Sequence, residues 1–305
     1  AAALRATRHS DHRQVDLVAA LGAVAPRGSH PRHRAIADAV VASGIDRSLV
    51  RQLGSRQPVR RAVAALLVAG FALPDAANII APLVRDRDGD VRLAAVRALD
   101  LLADDAAALQ LVDALQVRDL AVERVIERLG APWTVPVVLD VLDGRRSGPG
   151  SVRRADAPLF WRSIDGSLAR ALGLAGDPRA ERALRSLLRY GRAEERIHAA
   201  RALGTAGTMD SVPDLERSLD DEAWPVRAQA ARALGRLGSQ SSVPALAPHL
   251  ADTAWWVRAA AADALADLGE PGIAVLRDAL AHPDPYARDR AREALALHQL
   301  GGDDG

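Results

Sequence analysis

Arginine recurs at one position of a repeated helical pattern, and it is the clearest candidate for chemistry in this chain. The position lies two residues before a recurring leucine or its equivalent. Its members are Arg97, Arg124, Arg170, Arg201 and Arg232. Two residues along an α-helix turn through about 200°, so these side chains point away from a core that the leucine enters. Because guanidinium groups match carboxylate and phosphate geometry, the pattern indicates a surface for an acidic or phosphate-bearing partner.

Composition offers another explanation for the same arginines. All 40 basic side chains are arginine and none is lysine, a bias that would fill exposed helix positions with solvated arginine. The 39 acidic residues leave a formal charge of +1, and Asp263 and Glu293 take the recurring position in the last repeats. A chain this close to neutral has no global field that attracts nucleic acid or anionic lipid. We therefore expect a protein partner, for which an acidic segment is one candidate binding element, and regard nucleic acid as disfavoured.

A second basic group lies in the segment 144–157, which interrupts the repeats. It is rich in glycine and contains Arg145, Arg146, Arg153 and Arg154. A long loop within a compact array is either functional or disordered. These arginines are candidates for an additional contact that orders on binding, and a solvated insertion is the alternative.

Three tryptophans cluster at the turns that lead into two late helices. Trp224 and Trp255 are one repeat apart, and Trp256 adjoins the second. Tryptophan is enriched in binding hot spots, so the cluster is a candidate aromatic anchor. A large side chain at such a turn more often packs over the adjacent helices, and we favour that role.

Residue patterns for catalysis and metal binding are missing. The chain has no cysteine, no G-x-S-x-G, no phosphate loop and no H-E-x-x-H. Two H-x-x-H pairs, His9 with His12 and His30 with His33, have a spacing that zinc could use, but proline and glycine around the second pair argue against a preset site. We expect no enzyme activity, no cofactor and no metal.

The elements that position these residues repeat at a step of 31. R-A-L-G occurs at 170–173, 201–204 and 232–235, and the leucine and a later glycine keep the step one repeat further. A unit this short cannot bury its own apolar face, so repeats must stack on one another. The register predicts one class of helix near 32–43, 57–69, 90–103, 118–129, 158–174, 194–206 and 285–299, with shorter helices between them.

Each clear unit places Val-Pro at the start of one helix and Val-Arg near the start of the next. Pro213 is followed eight residues later by Asp221, and then by Val226 and Arg227; the next unit repeats the pattern. This arrangement resembles the HEAT-repeat family, in the short bacterial form found in proteins similar to phycobilisome lyases. The resemblance implies an all-α fold, an α-solenoid of about nine antiparallel helix pairs.

In that family the Pro helix, A, lines the convex side and the Val-Arg helix, B, lines the concave side. The resemblance thus implies that the recurring arginines face the concave surface. It also implies an Asp/Arg ladder between neighbouring repeats, whose matching residues here are Asp86 with Arg92, Asp221 with Arg227, and Asp252 with Arg258. Arg196 and Arg60 have no Asp six residues earlier, so we expect the ladder to be broken there.

Together these features predict one repeat domain over 1–305, less regular over 1–58. The function that they favour is a non-enzymatic scaffold that binds a protein on the concave arginine-bearing face. A lyase-like or chaperone-like protein acting on a cofactor-bearing partner, and binding of nucleic-acid phosphates, are the alternatives. The longest apolar run is about 12 residues, too short for a membrane span, and we expect a cytoplasmic location. The chain starts with Ala1 in a helical pattern, which leaves room for an upstream anchor.

Overall fold

The computed structural model describes residues 31–117, 122–144 and 164–302. They belong to two compact units, Ala1–Ala157 and Pro158–Gly305, and each is described by itself. Within the described residues both units consist of helices and turns without strands. The predicted α-solenoid is therefore confirmed for the described parts of both units, while a single domain over 1–305 stays a prediction.

The first unit contains eight described helices, in which odd numbers are B helices and even numbers are A helices. They are α1 Pro31–Ala42, α2 Ile45–Leu53, α3 Pro58–Gly70, α4 Ala76–Ile80, α5 Gly89–Leu102, α6 Asp105–Ala114, α7 Val122–Leu129 and α8 Val135–Leu142. The α5 helix begins where the Asp88 side chain accepts hydrogen bonds from the backbone N–H groups of Asp90 and Val91, at 3.0 and 3.2 Å. Such a cap satisfies donors that a helix leaves open.

The second unit continues the alternation. Its helices are α9 Ile164–Ala175, α10 Glu181–Tyr190, α11 Ala193–Ala206, α12 Val212–Arg217, α13 Trp224–Leu237, α14 Val243–Leu246, α15 Trp255–Asp267, α16 Glu270–Ala279 and α17 Pro285–Gly302. The predicted B helices are confirmed to within a few residues wherever the chain is described. The A helix α14 is short because it passes into a 3-10 turn, Ala247–Ala251, where Pro248 has no N–H to extend an α-helix.

The recurring R-A-L-G cassette builds the stack of B helices. Its leucines are completely buried, and with their equivalent in α15 they are Leu172, Leu203, Leu234 and Leu265. The glycine that follows each of the first three leucines lies against the next B helix. A Cβ added to Gly204 would be 3.0 Å from the Cα of Ala233, and Gly173 and Gly235 contact Ala202 and Ala264 in the same way. Glycine and alanine thus let consecutive B helices approach closely, which holds the recurring arginines at a fixed spacing.

Candidate functional site

An arginine–aspartate ladder ties three of the described B helices, α3, α11 and α13, to the repeat that follows each of them. In the second unit, Nε and Nη2 of Arg196 lie 2.8 and 2.9 Å from the Asp221 carboxylate, and Arg227 holds Asp252 with two contacts of 2.8 Å. In the first unit Arg61 holds Asp86 in the same way. The expected ladder between neighbouring repeats is present, and each rung spans 25 residues.

Three details of the ladder predicted from the sequence were wrong. The predicted pairs, Asp86 with Arg92, Asp221 with Arg227, and Asp252 with Arg258, are not the rungs, because each rung joins an arginine to the aspartate 25 residues later. The ladder is not broken at Arg196, because Arg196 donates hydrogen bonds to the carboxylate of Asp221 in the following repeat. The ladder residue of α3 is Arg61 and not Arg60. The six-residue Asp/Arg spacing has a different meaning: Nη1 of Arg92 donates to the backbone carbonyl of Asp86 at 2.9 Å. The three arginines that form rungs make a similar contact: Arg61, Arg196 and Arg227 each donate through Nη1 to a backbone carbonyl in the turn before their own helix. Each of them therefore stabilises that turn and also binds the next repeat.

Ionisation of two ladder carboxylates, those of Asp86 and Asp252, is favoured by these contacts. The hydrogen bonds from Arg61 hold the pKa of Asp86 below its ordinary value. Burial acts most strongly on Asp252 and would raise its pKa, but the Arg227 guanidinium and the backbone N–H of Ala254 together outweigh it and the pKa is lowered. The Arg61–Asp86 and Arg227–Asp252 rungs are therefore charged pairs at neutral pH.

The recurring arginines lie on B helices, and their exposure varies. Arg97, Arg124 and Arg201 are exposed, whereas Arg170 and Arg232 are half-buried. Arg124 is 3.6 Å from Glu127 on its own helix. Arg97 and Arg124 belong to the first unit and the other three to the second, so a continuous row over five repeats stays a prediction. We call Arg170, Arg201 and Arg232, on consecutive helices α9, α11 and α13, the arginine row.

The arginine row gives way to acidic residues on the next B helix. Asp263 takes the corresponding position on α15, and Asp267 lies one turn further on. Burial and the nearby Asp267 raise the pKa of Asp263, while Arg232 and Arg290 act against that shift. We call the surface formed by this recurring position on the B helices of the second unit the B face. It is basic on α9, α11 and α13 and acidic on α15.

The tryptophans lie at the first residues of α13 and α15. Trp224, Trp255 and Trp256 keep 44, 47 and 52% of their surface exposed. Trp255 and Trp256 make an edge-to-face contact with ring centroids 4.5 Å apart, and the Arg290 guanidinium lies 5.2 Å from the Trp255 ring. A role in partner binding stays a prediction for all three. Arg145, Arg146, Arg153 and Arg154 lie outside the described residues.

Sequence reasoning missed one cluster on the A helices α10 and α12. The Asp214 side chain is fully buried and contacts Arg185, Arg189 and Arg217. Nε of Arg185 is 2.7 Å from Oδ2, and Nε and Nη2 of Arg189 lie 2.5 and 2.9 Å from the carboxylate. Burial acts to raise the pKa of Asp214, but the three guanidinium groups lower it to about 2. The available signal was arginine at 182, 185 and 189, a spacing that places three cations on one helix face.

Neither a membrane helix nor a metal cluster appears in the part of the chain that the structure describes. None of its helices is long and apolar enough to span a bilayer. Its histidine, aspartate and glutamate side chains form no group of three that could hold a metal ion.

Comparison with known proteins identifies the repeats. The family model for HEAT repeats matches residues 163–226 and 218–296. No curated protein sequence matches the chain.

Three similar solved structures are an engineered protein, human deoxyhypusine hydroxylase in complex with glycerol, and the complex of CpcE and CpcF of phycocyanin lyase from Nostoc sp. PCC7120. The engineered protein is 23% identical with a TM-score of 0.40, over 96% of this chain and 86% of that one. The hydroxylase is 22% identical with a TM-score of 0.36, over 86 and 99%. The lyase complex is 19% identical with a TM-score of 0.39, over 81 and 94%. Likenesses this distant carry no inference about activity or partner.

Proposed function

Residues 163–296 of this chain belong to the HEAT-repeat family, and we propose that the protein is a non-enzymatic scaffold that binds an acidic segment of a protein partner on its B helices. The observation that carries the proposal is the arginine row. Arg170, Arg201 and Arg232 recur at a step of 31 residues on helices that pack directly on one another. A solenoid surface of this kind suits an extended partner.

The distance between successive arginines of the row determines which spacing of carboxylates in an extended partner segment would match it. Packed helices lie about 8 to 10 Å apart, so corresponding arginines on adjacent B helices are separated by about the same distance. An extended chain covers about 3.3 to 3.6 Å per residue. Carboxylates two or three residues apart on an extended segment therefore match successive arginines, and a segment of about six to eight residues covers the row.

The change from basic to acidic residues along the B face limits where the acidic segment can bind. Asp263 and Asp267 follow the arginine row on α15. An acidic segment that continued over α15 would meet like charge, which disfavours binding. We therefore expect the acidic part of the partner to end at α13 and any residues over α15 to be neutral or basic.

Contacts between repeats hold the helices that carry the arginine row in fixed positions, which favours binding. The rungs Arg196–Asp221 and Arg227–Asp252 connect α11, α13 and the repeat that contains α15. Close contacts at Gly173 and Gly204 prevent the B helices from sliding freely. A preorganised surface loses less conformational entropy on binding.

Affinity capture from the native cell, followed by mass spectrometry, tests the proposal. The wild-type chain is compared with Arg201→Glu and with the triple variant Arg170→Glu, Arg201→Glu, Arg232→Glu. We expect a partner with an acidic segment that Arg201→Glu retains weakly and the triple variant loses. A chromophore-bearing partner captured equally by all three proteins would favour the lyase-like alternative, and duplex DNA shifted by the wild type at low salt would favour phosphate binding.

A further inference from the structure

A second basic site lies on the A helices, away from the row of arginines on the B helices. Arg182, Arg185 and Arg189 occupy positions i, i+3 and i+7 of α10, which places them on one helix face. They line a groove of about 300 Å³ together with Ser186 and Tyr190. None of the groove's lining residues is acidic. We call these three arginines the α10 cluster.

Buried Asp214 fixes the orientation of two members of the α10 cluster. It accepts from Nε of Arg185, and from Nε and Nη2 of Arg189. Both Nη groups of Arg185 take no part in these bonds, whereas the Arg189 guanidinium also interacts with the Tyr190 side chain. Because Asp214 already holds the guanidinium planes, less side-chain entropy is lost when an anion binds.

Charge in this region is unbalanced. One carboxylate, Asp214, faces Arg185, Arg189 and Arg217, and Arg182 adds a fourth cation. Other carboxylates near the cluster have partners of their own. Asp221 and Glu222, which line the neighbouring cavity together with Arg189, are bound by Arg196. Glu181 accepts from the hydroxyls of Thr208 and Ser211.

The cluster is not a requirement of the repeat. The residues 31 positions after Arg185, Arg189 and Arg217 are Glu216, Asp220 and Pro248. By contrast, the ladder and the glycine contacts recur from repeat to repeat. A cationic cluster that the following repeat does not share, in a groove beside the exposed ring of Tyr190, has the character of a specific site.

We propose that the α10 cluster binds a phosphoryl group carried on a side chain of a protein partner. A phosphoryl group bears close to two negative charges and three acceptor oxygens, so it engages the forks of several guanidinium groups at once. A carboxylate has two oxygens and one charge and satisfies fewer of them. Tyr190, which is 82% exposed, offers a ring for residues adjacent to the phosphorylated one.

Calorimetric titration of the full chain with synthetic peptides tests this proposal. One peptide carries phosphoserine between neutral residues, and matched peptides carry serine or glutamate in its place. We expect saturable binding of the phosphopeptide, at least tenfold tighter than either matched peptide. Excess inorganic phosphate should compete with it.

Two variants locate the site: Arg182→Gln leaves the hydrogen bonds of Asp214 in place, and Arg185→Lys keeps a cation beside Asp214. Asp214 is held by Arg185, Arg189 and Arg217 and not by Arg182, so Arg182→Gln should fold normally and weaken phosphopeptide binding about fivefold. Arg185→Lys keeps the charge and loses the fork, and should weaken binding similarly. Arg236→Gln on the B helix α13 is the matched control and should bind as the wild type does.

Three outcomes would overturn the proposal. Two of them are equal affinity for the phosphopeptide and the serine peptide, and wild-type affinity of both Arg182→Gln and Arg185→Lys. Equal binding of the glutamate peptide would assign the groove to acidic peptides and not to phosphoryl groups. The triple variant of the arginine row should retain phosphopeptide binding, so failure here is distinguishable from failure of the proposed scaffold function.

Discussion

Arg227 links two repeats through three of its nitrogens. Nε and Nη2 each lie 2.8 Å from a carboxylate oxygen of Asp252, and Nη1 donates to the backbone carbonyl of Asp221 at 2.9 Å. The two side chains keep only 15 and 8% of their surface exposed. One arginine therefore closes the turn before α13 and also fixes the position of the repeat that follows.

Removing one partner of this rung should be costly. Asp252→Ala leaves the largely buried guanidinium of Arg227 without its carboxylate, so we expect a loss of about 3 kcal/mol in the free energy of unfolding. The double variant Arg227→Ala, Asp252→Ala should lose less than the sum of the two single losses, with a coupling of about 1 to 3 kcal/mol. Urea denaturation measures all three. Asp278→Ala, at an exposed position, is the control, and additivity of the two rung substitutions would contradict the role given to the pair.

The last rung of the ladder lacks its carboxylate. Arg258 is buried and donates through Nη1 to the Asp252 carbonyl at 2.7 Å, but its Nε has no hydrogen-bond partner within the described residues. His282 occupies the aspartate position, and its Nδ1 accepts from the backbone N–H of Asp284 at 3.0 Å. The corresponding oxygen of Asp252 accepts from Ala254 in the same way.

We expect His282→Asp to complete this rung and raise the free energy of unfolding by about 1 to 2 kcal/mol, because a charge-assisted pair replaces an unsatisfied donor. His282→Asn is the matched control, since it has the shape of aspartate and can keep the turn but carries no charge. Thermal denaturation of both variants measures the effect. Equal stabilisation by asparagine would show that the gain came from the turn and not from Arg258.

Replacing a glycine of the R-A-L-G cassette with alanine should destabilise the protein, because the added methyl group has no room. A Cβ on Gly204 would lie 3.0 Å from Cα and 3.1 Å from Cβ of Ala233, so Gly204→Ala must push α11 and α13 apart. We expect a loss of about 1 to 3 kcal/mol, although alanine favours the helix by about 1 kcal/mol. At Gly70 a Cβ meets nothing within 4 Å, and Gly70→Ala should be neutral or stabilising. Equal effects at both sites in denaturant titrations would contradict the close contact.

The free energy of unfolding should decrease in acid, because Asp214 loses its charge and with it the attraction to its three arginines. The pKa of Asp214 in the folded protein is about 2, below its ordinary value of 3.8. A lowered pKa contributes stability above pH 4 that is lost as the pH falls towards 2. The contribution at neutral pH is about 2 kcal/mol. Asp214→Asn should therefore be less stable than the wild type at pH 7, with a smaller difference at pH 2.5; thermal scans at both values measure this, and a constant difference would contradict it.

Features that recur could be predicted from the sequence, and features that occur once could not. The step of 31 residues fixed the B helices because Leu203 and its equivalents all enter one core. The same step did not reveal that Arg227 reaches Asp252, since 25 residues separate them and only stacking brings them together. Asp214 and its arginines escaped prediction because they come from two A helices and the arginines have no counterparts in the following repeat. The acidic neighbours of the arginine row were visible in the sequence, but their effect on binding depends on the packed surface.

The affinity of the captured partner for charge-reversed variants is the most direct test of the central claim. Calorimetry compares the wild type, the triple variant Arg170→Glu, Arg201→Glu, Arg232→Glu, and a control with the same charge change at the exposed residues Arg179, Arg277 and Arg292. We expect the triple variant to lose at least 100-fold in affinity while it melts close to the wild-type temperature, and the control to stay within about twofold, since rim charges contribute little. Unchanged affinity of the triple variant, or an equal loss in the control, would contradict a binding surface at the arginine row.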